Sequence, residues 1–143
     1  LAEQRNIGEK RNFGCSRAEG EVICHWDDDD WSAPGRLARQ VEMLNESGLL
    51  VAGFHSMRFT DGNDWWKYQG RKQYALGTSL CYRREWWQQT PFSLAQIGED
   101  NTMVEAAQRA GQIVSEDAGE LMWASIHPGN TSPRMIADNW RKL

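Results

Sequence analysis

Apolar and polar residues follow two different periods along this chain, and the switches between them mark its elements. From Ile7 to Ala18 a mixed helical face carries Ile7, Lys10, Arg11, Phe13, Cys15 and Ala18, and Gly20 stops it. Glu21 to Trp26 places β-branched Val22 and Ile23 beside Cys24 and Trp26, which predicts a short buried strand ending in Asp27, Asp28, Asp29 and Asp30. A second helix starts with Ser32 as cap and Pro34 in its first turn, repeats Leu37, Val41 and Leu44 at helical spacing, and ends at Ser47-Gly48. Leu49 to Phe54 reads as a buried strand, and Met57 to Gln73 as a hairpin or excursion with Asp61-Gly62-Asn63-Asp64 at its polar tip. Tyr74 to Arg83 is strand-like, with Gly77 where a backbone passes close to another group. Gly98-Glu99-Asp100 opens a helix whose Met103, Ala106, Ala107 and Ala110 form a small-residue face, and Gly111 closes it. Gln112 to Ser115 and Leu121 to Ile126 predict two short strands, His127 to Ser132 a loop, and Pro133 to Leu143 a last helix. Such alternation predicts a three-layer α/β or mixed-sheet domain.

Length and charge narrow this picture. The 143 residues, 40% of them hydrophobic, suffice for one domain with a real core. A net charge of −4 with scattered basic residues does not suggest a nucleic-acid surface. Cys15, Cys24 and Cys81 are odd in number and lack CxxC spacing, which points away from zinc and toward reduced thiols in a reducing, cytoplasmic setting. No stretch approaches the ~20 apolar residues of a membrane span, and no signal-peptide pattern opens the chain. The chain begins at Leu1 without a methionine, which reads as processing or as a piece of a longer protein. Eight tryptophans, including Trp65-Trp66 and Trp86-Trp87, supply core volume, and their flat faces also suit sugars or bases.

The acidic run is where chemistry enters. Four adjacent carboxylates repel one another, so a cation or a set of donors is expected beside them; a solvated acidic loop is the alternative. An EF-hand is excluded, because no glycine stands at its sixth position and Glu42 lies too far along a helix. A two-metal nuclease would need a basic groove. The remaining reading is a hard divalent cation, Mg2+ or Mn2+, bridging the protein to a diphosphate.

The ordered set Arg11-Asn12-Phe13-Gly14, Ala18-Glu19-Gly20-Glu21-Val22-Ile23, Asp27 to Trp31, Arg36-Leu37 with Gln40, Arg83-Arg84 and Gly98-Glu99-Asp100 resembles family-2 glycosyltransferases of the GT-A fold. The resemblance spans about Asn6 to Ser132. It implies a three-layer α/β/α domain with a mixed, mostly parallel central sheet that lacks the usual first strand and helix. It also implies transfer of a sugar from a nucleoside-diphosphate donor to a hydroxyl acceptor, inverting, as in hexosyltransferases. Asp27 and Asp29 match the Asp-x-Asp metal motif, with Asp28 and Asp30 as a second register. Asp100 matches the general base, and Glu99, Gly77 and Ser79 fall on the acceptor side. His127 matches a ligand for the metal, and Arg11 with Asp28 contacts for the nucleotide sugar. Each has a plainer reading: acids in a helix's first turn complement its dipole, a lone His is often structural, and Arg11 suits a solvated helix face. With the first strand absent, the resemblance implies a fragment, a fold completed by a partner chain or a second copy, or a degraded nucleotide site. A non-catalytic carbohydrate- or metal-binding module and a scaffold fragment are the other functional classes.

Overall fold

The computed structural model describes residues 4–131, 134 and 136–143. The chain opens with α1 (Ile7–Arg17), where Asn6 Oδ1 accepts from the Glu9 amide and Glu9 Oε2 accepts from the Asn6 amide, each at 2.8 Å. This reciprocal cap satisfies two amides that a helix start leaves orphaned. Then come β1 (Val22–Cys24), β2 (Trp31–Ser32) and α2 (Arg36–Ser47). Gly48 ends α2 with a left-handed φ of 69°, as the Ser47-Gly48 stop predicts.

β3 (Val51–Thr60) is the centre of the sheet. One of its edges pairs with β4 (Trp65–Gln69) and β5 (Cys81–Arg83), the other with β6 (Ile113–Asp117) and β7 (Met122–Ser125). The predicted strand at Leu49 to Phe54 thus runs on to Thr60 before the chain reverses. At the tip, Asp61 Oδ1 accepts from the Asn63 and Asp64 amides, which fixes the turn. α3 (Arg84–Gln89) and α4 (Glu99–Arg109) precede β6, and β8 (Trp140–Lys142) closes the chain.

The sheet is mixed but mostly antiparallel, which corrects the expected mostly parallel one. Among the described residues only β3–β6 and β3–β7 are parallel; β1–β5, β2–β7, β3–β4, β3–β5 and β4–β8 are antiparallel. The reason is the connections. A four-residue turn joins β3 to β4, and no α-helix intervenes before β5, whereas parallel pairing needs a long crossover.

Two further expectations change. Residues 140–142 form a strand against β4, with Trp66 opposite Lys142 and Tyr68 opposite Trp140, instead of the end of a helix. The edge of β4 offers unpaired backbone groups that this segment satisfies. Ser132 and Pro133, where the predicted loop ends and the helix begins, lie outside the described residues. Within Tyr74 to Arg83 only Cys81–Arg83 is strand, because Gly77–Ser79 forms a 3-10 turn.

Helices cover both faces of the sheet. On one, Met43 and Leu44 of α2 pack with Ala52, Phe54, Met57, Phe59, Met122 and Ala124. On the other, Cys15, Trp86, Met103, Val104 and Ala107 pack with Val51, Tyr82 and Ile113. Full burial of a side chain such as Leu44 stabilises the fold by roughly 1.5–3 kcal/mol. The expected apolar stripe of α2 is only partly right: Leu37 is 46% exposed, while Arg36 and Gln40 are fully buried. The tryptophans are also less of a core than expected. Trp86 is buried, but Trp26, Trp31 and Trp65 are exposed, and Trp31 stacks on Trp123 at 3.8 Å. All three cysteines are free, and no helix among the described residues is long and apolar enough to cross a membrane.

Candidate active site

β1 leaves the sheet just after the His25 amide donates to the Leu80 carbonyl (2.8 Å), and Asp27 to Asp30 then make a turn at its end. The four carboxylates have different fates. The Asp30 side chain is 1% exposed: Oδ2 accepts from the Thr78 hydroxyl (2.6 Å), Oδ1 accepts from the Ser125 amide (2.9 Å), and Arg134 lies 3.6 Å away. Asp30 is therefore spent on fixing the turn to the 3-10 turn and to β7. The Ser125 hydroxyl adds a bond to the Asp29 carbonyl at 2.6 Å. Asp27, Asp28 and Asp29 instead line a cleft of about 700 Å³, within the range of small-molecule sites.

One carboxylate oxygen from each of Asp27, Asp29 and Asp30 lies within 4.8 Å of the others. Burial raises the Asp27 carboxyl above its ordinary value, and the charges of Asp30 and Asp29 add to this, against the pull of the Thr78 hydroxyl and Arg11. A cation would relieve that cost. The donor set is hard oxygen, and because Asp30 is committed elsewhere, Asp27 and Asp29 would leave coordination positions for phosphate oxygens or water. This fits Mg2+ or Mn2+. It also favours the Asp27–Asp29 register over Asp28–Asp30.

His127 sits on the same edge, with Nε2 2.8 Å from Asp29 Oδ2 and Asn130 Nδ2 3.4 Å from that oxygen. The Gly129 amide donates to His127 Nδ1 at 3.1 Å, and Asn130 Nδ2 lies 3.1 Å from Nε2.

The start of α4 also lines the cleft. Gly98, at φ 76°, turns the chain into Glu99 and Asp100. Glu99 is 5% exposed, and its Oε1 accepts from Arg11 Nε at 2.8 Å. Both line the cleft, but each is the other's main partner, which answers why a carboxylate and a guanidinium stand there. Asp100 is half-buried and faces the cleft. Burial, then the charge of Glu99, raises its carboxyl above the ordinary value. The Gly77 backbone lies against it: a Cβ on Gly77 would stand 1.7 Å from Asp100 Oδ2. Only glycine permits that approach, which accounts for the expected close pass.

Ser79 does not belong to the cleft, and the expected acceptor contact is corrected. It is fully buried; its hydroxyl accepts from the Phe54 amide and donates to the Leu76 carbonyl, both at 2.8 Å. Its position in a strand-like run gave no sign that the turn folds inward there. Asp27, Asp28, Asp29, His127, Arg11, Gly77, Glu99 and Asp100 do come together.

Several contributors carried no local signal. Thr78, Ser125, Asn130 and Arg134 reach the acidic turn from distant segments. His25, 6% exposed, sets Nδ1 2.9 Å from both the Gly77 carbonyl and Arg11 Nη1, and Nε2 3.2 Å from the Tyr82 hydroxyl. Burial, aided by Arg11, keeps this imidazole neutral with its pKa pulled down to about 3. The aromatic side of the cleft, Phe59, Tyr68, Tyr74 and Trp140, is assembled from β3, β4, β8 and the segment before Gly77.

Comparison with known proteins agrees with this fold. The TarS 1–349 crystal structure from S. aureus in complex with UDP-GlcNAc superimposes with a TM-score of 0.72 at 18% identity, over 95% of this chain and 44% of that one. The TarS 1–349 complex with UDP gives 0.65 at 19% identity, over 86% and 41%. The S. aureus TarS structure of the longer chain gives 0.64 at 18% identity, over 86% and 25%. This chain thus spans less than half the length of the structures it matches. No curated protein matches it. The family model described as glycosyl transferase family 2 matches residues 1–109, from α1 through the acidic turn to the end of α4. That match covers both the acidic turn at the strand end and the Glu-Asp helix start, and the chain belongs to glycosyl transferase family 2.

Proposed function

We propose that this chain carries the catalytic half of a metal-dependent, inverting glycosyltransferase that moves a sugar from a nucleoside-diphosphate donor to a hydroxyl acceptor. The observation that carries the reading is that the Asp27–Asp29 pair and Asp100 line one cleft. Asp100 takes the proton of an acceptor hydroxyl as that oxygen bonds to the anomeric carbon. The bond from that carbon to the diphosphate oxygen breaks, and its electron pair leaves with the nucleoside diphosphate. A carboxyl raised by burial is the stronger base for this step. A divalent cation at Asp27 and Asp29, when bound, offsets the charge gathering on the departing diphosphate. Arg11 and Asp28, which line the same cleft, would contact the nucleotide sugar, and Arg11 also holds Glu99 in place beside the base.

TarS binds UDP-GlcNAc in its crystal structure, so UDP and UDP-GlcNAc are the first probes. Calorimetry of the chain with UDP and Mn2+ is expected to give heat that EDTA or Asp29→Asn removes and Asp100→Asn leaves. UDP release from a donor, with an acceptor saccharide present, is expected to vanish in Asp100→Asn. Absence of any manganese-dependent heat with UDP would falsify the metal-and-diphosphate part of the reading.

A further inference from the structure

We propose that Arg36 is a positioning residue that holds the acidic turn and the Gly77 loop at the spacing the cleft needs. This rests on the metal-and-base reading of the cleft. Arg36 is fully buried at the first position of α2. That placement is unfavourable twice over: a guanidinium leaves water, and it sits at the positive end of the helix dipole. Among the described residues no carboxylate lies in ion-pair contact with it. Its donors go to neutral groups: Nε to Gln40 Oε1 (3.0 Å), Nη1 to the Ser32 hydroxyl (2.9 Å), and Nη2 to the carbonyls of His25 (2.9 Å) and Thr78 (3.1 Å). The Trp26 ring covers the guanidinium, 4.7 Å from its central carbon.

These acceptors are the segments that carry the site. His25 lies two residues before Asp27, and Ser32 two after Asp30. Thr78 follows Gly77, which backs Asp100, and its hydroxyl holds Asp30. One side chain thus ties the metal wall to the base wall. A contribution to stability does not distinguish this role, because losing Arg36 would also leave the His25 and Thr78 carbonyls unsatisfied, so the test reads local protection and metal affinity. The rigid planar fork, with donors aimed at two carbonyls at once, is what lysine or methionine cannot reproduce.

Hydrogen exchange read by mass spectrometry tests this on the full chain, comparing wild type with Arg36→Met and Arg36→Lys. Arg39→Ala serves as the comparison, since it frees α2 from Glu116 without touching the turn. In both Arg36 variants, exchange is expected to speed several-fold together over residues 24–32 and 76–81, while α4 and β6 keep wild-type protection. Mn2+ affinity by calorimetry is expected to fall by about 10–100-fold, the usual cost of losing a supporting contact. Arg39→Ala is expected to change neither. Unchanged protection in the two segments, or a loss spread evenly over the chain, overturns the positioning role. If Arg36→Met does not fold, Ser32→Ala removes one acceptor alone and carries the same expectation for residues 24–32. If wild type binds no Mn2+, the metal reading falls, and the exchange measurement still decides the role of Arg36.

Discussion

At the scale of single residues, the four aspartates divide into those held by protein donors and those left facing the cleft. Asp30→Ala would strand the Thr78 hydroxyl and the Ser125 amide, so it is expected to cost about 1–3 kcal/mol in urea melts. Asp29→Asn is expected to leave those melts nearly unchanged and to remove Mn2+ binding. The reverse pattern would exchange their roles. Asp100→Asn is expected to lower kcat by about 10²–10⁴-fold, as for loss of a general base, while UDP binding persists. Its pH behaviour has a definite sign. The folded state holds the Asp100 proton more tightly than the unfolded chain does, so this group lowers stability as pH rises from the ordinary carboxylate value through the raised one. Asp100→Asn should therefore raise the melting temperature at neutral pH, and the gain should vanish once pH falls below the ordinary value. For the same reason, the acidic limb of kcat should lie above that of an unperturbed aspartate.

At the scale of elements, the site depends on how α4, the Gly77–Ser79 turn and the end of β1 meet. Gly77→Ala would drive a methyl group into Asp100 or push α4 away, so a loss of kcat is expected with the circular dichroism spectrum retained. Unchanged kcat would show that the close pass has no consequence. These elements were partly legible along the chain. The helix starts and stops at Ser47-Gly48, Gly98 and Gly111 follow from backbone preferences that need no partner. The buried face of α2 does not. Leu37 reads as core and is exposed, whereas the polar Arg36 and Gln40, outside the apolar spacing, are buried, because the carbonyls that satisfy them come from His25 just after β1 and from the Gly77–Ser79 turn. Ser79 is hidden for a similar reason: its partners, Phe54 and Leu76, are brought to it by the sheet.

At the scale of the whole molecule, ligand binding and folding are linked. Mn2+ with UDP at about 100 times its Kd is expected to add about 2.7 kcal/mol of stability, seen as a rise in melting temperature that EDTA reverses. Wild-type melting that ignores both would contradict the cleft as a binding site. What the sequence determined by itself was local: a strand ending in four carboxylates, a helix opening on Glu-Asp, and the ordered motifs of glycosyl transferase family 2. Periodicity, caps and charge spacing act over a few residues, so they are written in the chain. Tertiary structure alone decided that the sheet is mostly antiparallel, since pairing sense depends on how each connection turns back. It also decided which aspartates stay open to the cleft. Asp27 and Asp30 are chemically identical in the sequence. They differ because Thr78, Ser125 and Arg134 arrive from elsewhere to hold one of them and leave the other facing the cleft.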